Sequence, residues 1–197
     1  MVSKARSFLF LQGVCSPFFA RLADRLAADG HHVHKINFNG GDTVYWGARD
    51  AGFFRGKADA LPEFFGEIYR KFGITDQLLF GDCRPVHRPA VDLARQSGIR
   101  THVFEEGYFR PYWITLEREG VNAHSLLPRS ADWFREAGKK VPHYGKGQSF
   151  KSPFRVRAMH DVGYHLANAM NPLFFPGYRT HAPCNALIEY AGYARRL

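Results

Sequence analysis

Short apolar runs that alternate with helical patterns, each run ending in a polar turn, constrain this chain more than any other feature. Phe8-Leu9-Phe10-Leu11 is wholly apolar, as suits a strand buried on both faces, and it stops at Gln12-Gly13-Val14-Cys15-Ser16-Pro17. Ser16 and Pro17 suit a helix start, and Phe18, Phe19, Leu22, Ala23 and Leu26 recur at helical spacing before Gly30. His31 to Phe38 alternates polar and apolar residues and reads as a second strand, ending in Asn37-Phe38-Asn39-Gly40-Gly41-Asp42. An aromatic and basic loop, Tyr45 to Lys57, leads to a helix around Leu61, Phe64, Phe65, Ile68 and Phe72. A third strand, Gln77 to Phe80, runs into Gly81-Asp82-Cys83-Arg84-Pro85-Val86-His87-Arg88-Pro89. After a helix face of Ala90, Leu93, Ala94 and Ser97, a fourth strand from Arg100 to Phe104 delivers Glu105-Glu106-Gly107-Tyr108-Phe109-Arg110-Pro111. Alternating elements of this kind predict an α/β fold, a parallel sheet with right-handed crossovers and flanking helices. All four polar turns then lie on one edge, beyond the carboxyl ends of the strands, where open α/β sheets bind ligands.

The first strand, turn and helix make a Rossmann-like opening without Gly-x-Gly-x-x-Gly, so no dinucleotide site is expected. Beyond Pro111 the repeat is lost. Trp113 to Asn122 reads as an ordered excursion, Ser130 to Ala137 as a short helix, and the Gly-, Pro- and Lys-rich stretch Gly138 to Ser152 as a connection. Helices are expected from about Pro153 to Met170 and from Asn185 to Leu197. The division is therefore residues 1–138 as the Rossmann-like domain and 139–197 as a connection and helical C-terminal tail.

A net charge of +9 favours anionic partners, but the basic residues are scattered and form no arm, so nucleic acid is not expected. Cys15, Cys83 and Cys184 are too widely spaced for a zinc knuckle or a disulfide framework and suit a reducing compartment. His32 and His34 share a strand face with no nearby carboxylate and read as a solvated edge, so no metal site is expected. No run is long enough for a signal segment or a membrane span, which predicts a cytoplasmic protein.

The acidic pair Glu105-Glu106 stands on a strand-to-loop turn, where a carboxylate can act as base or nucleophile and Arg110 can hold an anion. The plain alternative is a structural turn. Asn39, Gly40 and Gly41 read equally as sugar-hydroxyl partners or as an Asn/Gly turn. Asp82, Arg84, His87 and Arg88 could bind an acidic sugar or simply open a helix. Cys83 lacks an evident pairing base in the sequence.

Leu11-Gln12-Gly13, Ile36 to Asp42, Phe80 to His87 and Phe104 to Glu117 together resemble the capsule polysaccharide biosynthesis and export family, a likeness that extends through Gly120-Val121-Asn122 and Glu189 to Gly192. The resemblance implies a retaining β-Kdo glycosyltransferase of GT-B-like architecture, two Rossmann-type domains facing across a cleft. It implies CMP-Kdo as donor, a phosphatidylglycerol-linked lipid acceptor at the anionic inner-membrane surface, capsule-assembly proteins as possible partners, and no cofactor. Glu105-Glu106-Gly107 also resembles the acidic motif of bacterial sialyltransferases. The chain departs in lacking the His-Pro nucleotide motif of the family's second half, which His87-Arg88-Pro89 only approximates. It is thus expected to be the N-terminal, acceptor-side half, inactive in transfer by itself. Carried onto this sequence, the catalytic set is Glu105, Glu106 and Asp82. The substrate-binding set is Gln12, Gly13, Asn39, Gly40, Gly41, Asp42, Arg84, His87, Gly107, Tyr108, Arg110 and Asn122. The alternative is a non-catalytic domain docking on anionic membrane or an assembly partner, prompted by Tyr45-Trp46 and Phe174-Phe175.

Overall fold

Strand β1 (Ser7–Phe10) shows how the layers arise. Successive side chains of a strand point to opposite faces. Phe8 and Phe10 join one core cluster with Phe19, Ala23, Trp46, Leu78, Phe80 and Phe104. Leu9 and the following Leu11 join another with Leu61, Phe65, Leu79, Ala90, Val91 and Val103. A strand apolar on both faces therefore has a helical layer on each side.

The computed structural model describes residues 4–107, 113–143, 153–181 and 186–195. After β1 come α1 (Phe18–Ala28), β2 (His32–Asn37), α2 (Gly40–Trp46), β3 (Gly52–Phe53), α3 (Leu61–Phe72), β4 (Asp76–Phe80) and α4 (Arg88–Gln96). Then follow β5 (Arg100–Glu106), β6 (Ile114–Arg118), α5 (Ala131–Lys140), α6 (Phe154–Ala169), α7 (Asn171–Phe174) and α8 (Ala186–Ala194). The sheet runs β3-β2-β1-β4-β5-β6. Every pair is parallel except β5 with β6. The chain builds outward from β1 to β3 and returns on the other side of β1 at β4. That reversal opens a crevice beyond the carboxyl ends of β1 and β4. The expected α/β sheet with flanking helices and a helical tail is the architecture found, and no helix among the described residues is long and apolar enough to cross a membrane.

Three local expectations are corrected. The fourth strand does not end at Phe104 but continues to Glu106, because β6 pairs antiparallel with it, Glu105 opposite Thr115 and Glu106 opposite Ile114. The ordered excursion expected at 113–122 breaks the β-α repeat as read, and its first half is the antiparallel strand β6. Tyr45 to Lys57 is not one loop either: α2 runs to Trp46, and Gly52–Phe53 adds a short edge strand. The Asn-Gly-Gly signal is a helix start, with the Asn39 side chain accepting a hydrogen bond from the Asp42 amide at 2.8 Å.

The amino edge of the sheet is held by a buried charge cluster. Asp76 is fully buried and accepts from Arg6 Nε at 2.7 Å and from Thr75 Oγ1 at 2.7 Å. Arg100 Nε lies 3.1 Å from it and His102 Nε2 2.7 Å. It ties the ends of β1, β4 and β5 together at the edge opposite the polar turns.

Candidate functional site

Over β1 and β2 the carboxyl edge is filled by the chain's own side chains. Gln12 donates to the Tyr178 hydroxyl at 2.8 Å and to the Tyr164 hydroxyl at 3.4 Å, and Asn39 donates to Tyr164 at 3.4 Å. The amides of Gly40 and Gly41, orphan donors at the start of α2, are accepted by Asn171 and Asn168 at 2.8 and 3.0 Å. A Cβ on Gly40 would stand 2.2 Å from the Ala167 carbonyl oxygen, and one on Gly41 would stand 2.2 Å from the Tyr164 ring. Glycine is required at both positions because α6 lies directly on α2. Asp42 accepts from the amides of Gly13 and Phe38 at 3.2 and 3.3 Å and faces Lys35 at 3.8 Å. Burial pushes the Lys35 ammonium down to about 8, against the pull of Asp42. Gln12, Asn39, Gly40 and Gly41 thus seat the tail, while Asp42 braces the Gly13 and Phe38 amides beneath it. Nothing in the sequence announced Tyr164, Asn168, Asn171 or Tyr178 as their partners.

Over β4 and β5 the edge carries Arg84 and Glu105. Arg84 Nη1 donates to the Gly13 carbonyl at 2.7 Å, spanning the crevice between β4 and β1. Gly81 takes φ +73°, and the point where its Cβ would stand is 3.5 Å from Glu105 Oε2 and 3.8 Å from Arg84 Nε. A carboxylate and a guanidinium therefore flank one spot beside the crevice. Glu106 is not there. Within a strand, neighbours face opposite sides: Glu105 follows Val103 on the α3/α4 side, and Glu106 follows Phe104 on the α1 side. Consistent with this, the charge of Glu105 reaches Cys83, whereas that of Glu106 reaches Cys15. The two carboxylates face opposite sides of the sheet. Gly107 is needed for close approach, since a Cβ there would stand 2.0 Å from the Trp113 carbonyl oxygen. Tyr108 and Arg110 lie outside the described residues.

Asp82 is buried and engaged: its Oδ2 accepts from the Val121 amide at 3.4 Å and lies 2.9 Å from His124 Nδ1. Asn122 is exposed with φ 54° and opens the 3-10 turn that carries His124. Cys83 does have a histidine neighbour, His124 Nδ1 at 3.6 Å. No local pattern could show it, since the two residues are far apart in sequence. Burial and Asp82 push the Cys83 thiol up, the opposite of what a free thiolate nucleophile requires.

His87 is corrected from anion-binding group to core residue. It is fully buried, its Nδ1 is 2.5 Å from the Gly81 carbonyl oxygen, and its Nε2 has no hydrogen-bond partner among the described residues. Burial first, then the Arg84 charge, push its pKa well below the ordinary 6.5, so it is neutral and cannot balance an anion. The unfolded chain takes up a proton near 6.5 that the folded chain refuses. Stability is therefore fully present above that value and declines as pH falls below it, toward the depressed folded pKa. Urea unfolding at pH 7.5 and pH 5 is expected to show a lower unfolding free energy at pH 5. His87→Gln should make that dependence shallower, though not flat, because His102 and His34 are also shifted down. An unchanged slope would rule His87 out as a source.

Comparison with known proteins places this geometry in context. The family model described as capsule polysaccharide biosynthesis protein matches residues 75–197. The chain is 40% identical over 194 residues to the capsule polysaccharide modification protein LipB of Neisseria meningitidis serogroup B, covering 94% of this chain and 45% of the relative. It is 36% identical over 177 residues to the capsule polysaccharide export protein KpsS of Escherichia coli, covering 89% of this chain and again 45% of the relative. The chain thus spans about half the length of the curated relatives it matches. No solved structure matches it significantly. A match over more than half of the chain, which includes the β4 turn with Asp82 and Arg84, shows that this protein belongs to the capsule polysaccharide biosynthesis family.

Proposed function

We propose that this chain forms the acceptor-side half of a retaining β-Kdo glycosyltransferase, which moves Kdo from CMP-Kdo onto a phosphatidylglycerol-based lipid linker in capsule polysaccharide biosynthesis. One observation carries the reading: Glu105 and Arg84 flank Gly81 beside the β1/β4 crevice. A retaining transfer through a covalent step needs a carboxylate at the anomeric carbon. Kdo also carries a carboxylate of its own, for which the forked guanidinium of Arg84 is suited. Glu105 is the nucleophile or base. Asp82, engaged with His124 and Val121, orients the turn rather than attacking.

The test is a chimera in which this chain replaces the matching residues of the meningococcal relative, assayed for Kdo transfer from CMP-Kdo to lipid acceptor. Glu105→Gln is expected to lower the rate by about 10²-fold or more. Glu106→Gln, on the other face, should cost far less. Equal losses, or a larger loss from Glu106→Gln, would sink the assignment.

A second reading, docking on an anionic membrane, is favoured by α6 and α7; of the aromatics first suspected, Phe174 is 49% exposed and Tyr45 half-buried. Trp46 and Phe175 are buried, whereas Met159, Leu166 and Leu173 are 74, 67 and 70% exposed at seven-residue spacing, with Arg155 and Arg157 exposed nearby. Co-sedimentation with phosphatidylglycerol vesicles, weakened by salt and by Leu166→Glu, would support it. Absence of binding at low salt would end it.

A further inference from the structure

We infer that Asp82, Cys83 and His124 form a binding site for a divalent transition metal of borderline softness, of which Zn²⁺ is the reference. Three ligand types converge there. Cys83 Sγ is 3.6 Å from His124 Nδ1 and 3.3 Å from Asp82 Oδ1, and His124 Nδ1 is 2.9 Å from Asp82 Oδ2. With Zn–S of about 2.3 Å, Zn–N of about 2.0–2.1 Å and a tetrahedral angle, the sulfur-to-nitrogen edge is about 3.5 Å and the nitrogen-to-oxygen edge about 3.3 Å. The ligand atoms already stand near those separations, with the carboxylate straddling the other two.

Without a metal, the carboxylate of Asp82 gathers the other two: the Cys83 thiol donates to Oδ1 and His124 Nδ1 meets Oδ2. A Cys-His-Asp relay uses both ring nitrogens, one toward the nucleophile and one toward the carboxylate. Here Cys83 and Asp82 both meet Nδ1, which holds at most one proton, so the ring cannot pass a proton between them. One cation among the three atoms satisfies all of them together.

The framework is built for the task. Asp82 is 3% exposed and held by the Val121 amide, and the His124 amide donates to the Val121 carbonyl at 3.0 Å, so the two loops share one anchor residue. Cys83 and His124 face solvent, which leaves a fourth position for water or a ligand oxygen. Thiolate with imidazole selects zinc or cobalt over magnesium or calcium. On loading, Cys83 releases its thiol proton to solvent and His124 carries its proton on Nε2, so one proton leaves and affinity falls as pH falls.

The experiment uses the reduced full chain and metal alone, so its outcome is separate from that of the glycosyltransfer assay. Co²⁺ titration is expected to give one equivalent of tetrahedral d–d absorption with a thiolate-to-cobalt charge-transfer band, displaced by Zn²⁺. Cys83→Ser should remove the charge-transfer band. His124→Ala should weaken affinity by more than the roughly tenfold that loss of a supporting residue costs. Both positions are exposed, and circular dichroism checks that the variants fold. Saturating Zn²⁺ should also protect Cys83, but not the exposed Cys15, from iodoacetamide. Cobalt bound without a thiolate band, variants that bind like the parent chain, or equal alkylation of both thiols would each overturn the proposal.

Discussion

Asp76→Ala is expected to be the most destabilising single substitution in the sheet, costing about 3 kcal/mol of an unfolding free energy of about 5–15 kcal/mol. The carboxylate is fully buried, yet Arg6 and Arg100 keep side-chain exposures of 28% and 43%. Removing Asp76 therefore does not strand two buried cations, because both guanidiniums can turn to water. The cost comes from the void and from the lost bonds of Thr75 and His102, which places it at the low end of what breaking a buried pair costs. Asp24→Ala is the control. Asp24 bonds Arg49 bidentately at 2.7 Å on the surface, and its loss should change stability little. Urea unfolding of the two variants decides the matter. If Asp76→Ala proves no worse than Asp24→Ala, the cluster does not hold the amino edge.

Gly40→Ala is expected to detach α6 from the domain while leaving the sheet folded. The added methyl would stand 2.2 Å from the Ala167 carbonyl oxygen, a backbone atom that cannot rotate away. Overpacking of this kind costs about 1–3 kcal/mol if the structure yields locally. Here yielding means lifting the helix, and that also breaks the bonds of Asn168 and Asn171 to the α2 amides and of Tyr164 to Gln12 and Asn39. Those bonds, with the Tyr45 hydroxyl bonded to His160, hold a half-exposed helix in place. Hydrogen exchange over residues 154–174 should rise steeply, with protection in β1, β4 and β5 unchanged. Gly163→Ala, in the same helix with nothing within 4 Å of its Cβ, should instead stabilise α6 by about 0.5–1 kcal/mol. Unaltered exchange in Gly40→Ala would show that the tail is held by something else.

The sheet was legible because its signal is local. Phe8 to Leu11, Gln77 to Phe80 and the helix faces beside them declare their burial by composition and spacing, and the polar turns fall where a parallel sheet must put them. What escaped is long-range. The strand end at Glu105-Glu106 looked like a turn because the partner that extends it, β6, begins seven residues beyond Gly107 and carries an alternating pattern too short to stand out. Asn39 and Gly41 could equally have been ligand-facing or structural, and the answer depended on Tyr164 and Asn168, more than a hundred residues away. His124 meets Asp82 across 42 positions.

The opposite facing of Glu105 and Glu106 means that which acid stands at the crevice is set by parity. Val103 is fully buried on one side of β5 and Phe104 is 6% exposed on the other, so the strand cannot slip by one residue without turning both cores inside out. The carboxylate that reaches the crevice is therefore selected by two apolar side chains that never touch it. Any sequence that keeps an apolar pair at 103 and 104 keeps an odd-numbered acid at the Gly81 turn and an even-numbered one behind the sheet. Exchanging the two roles would take an inserted or deleted residue in β5 rather than a substitution.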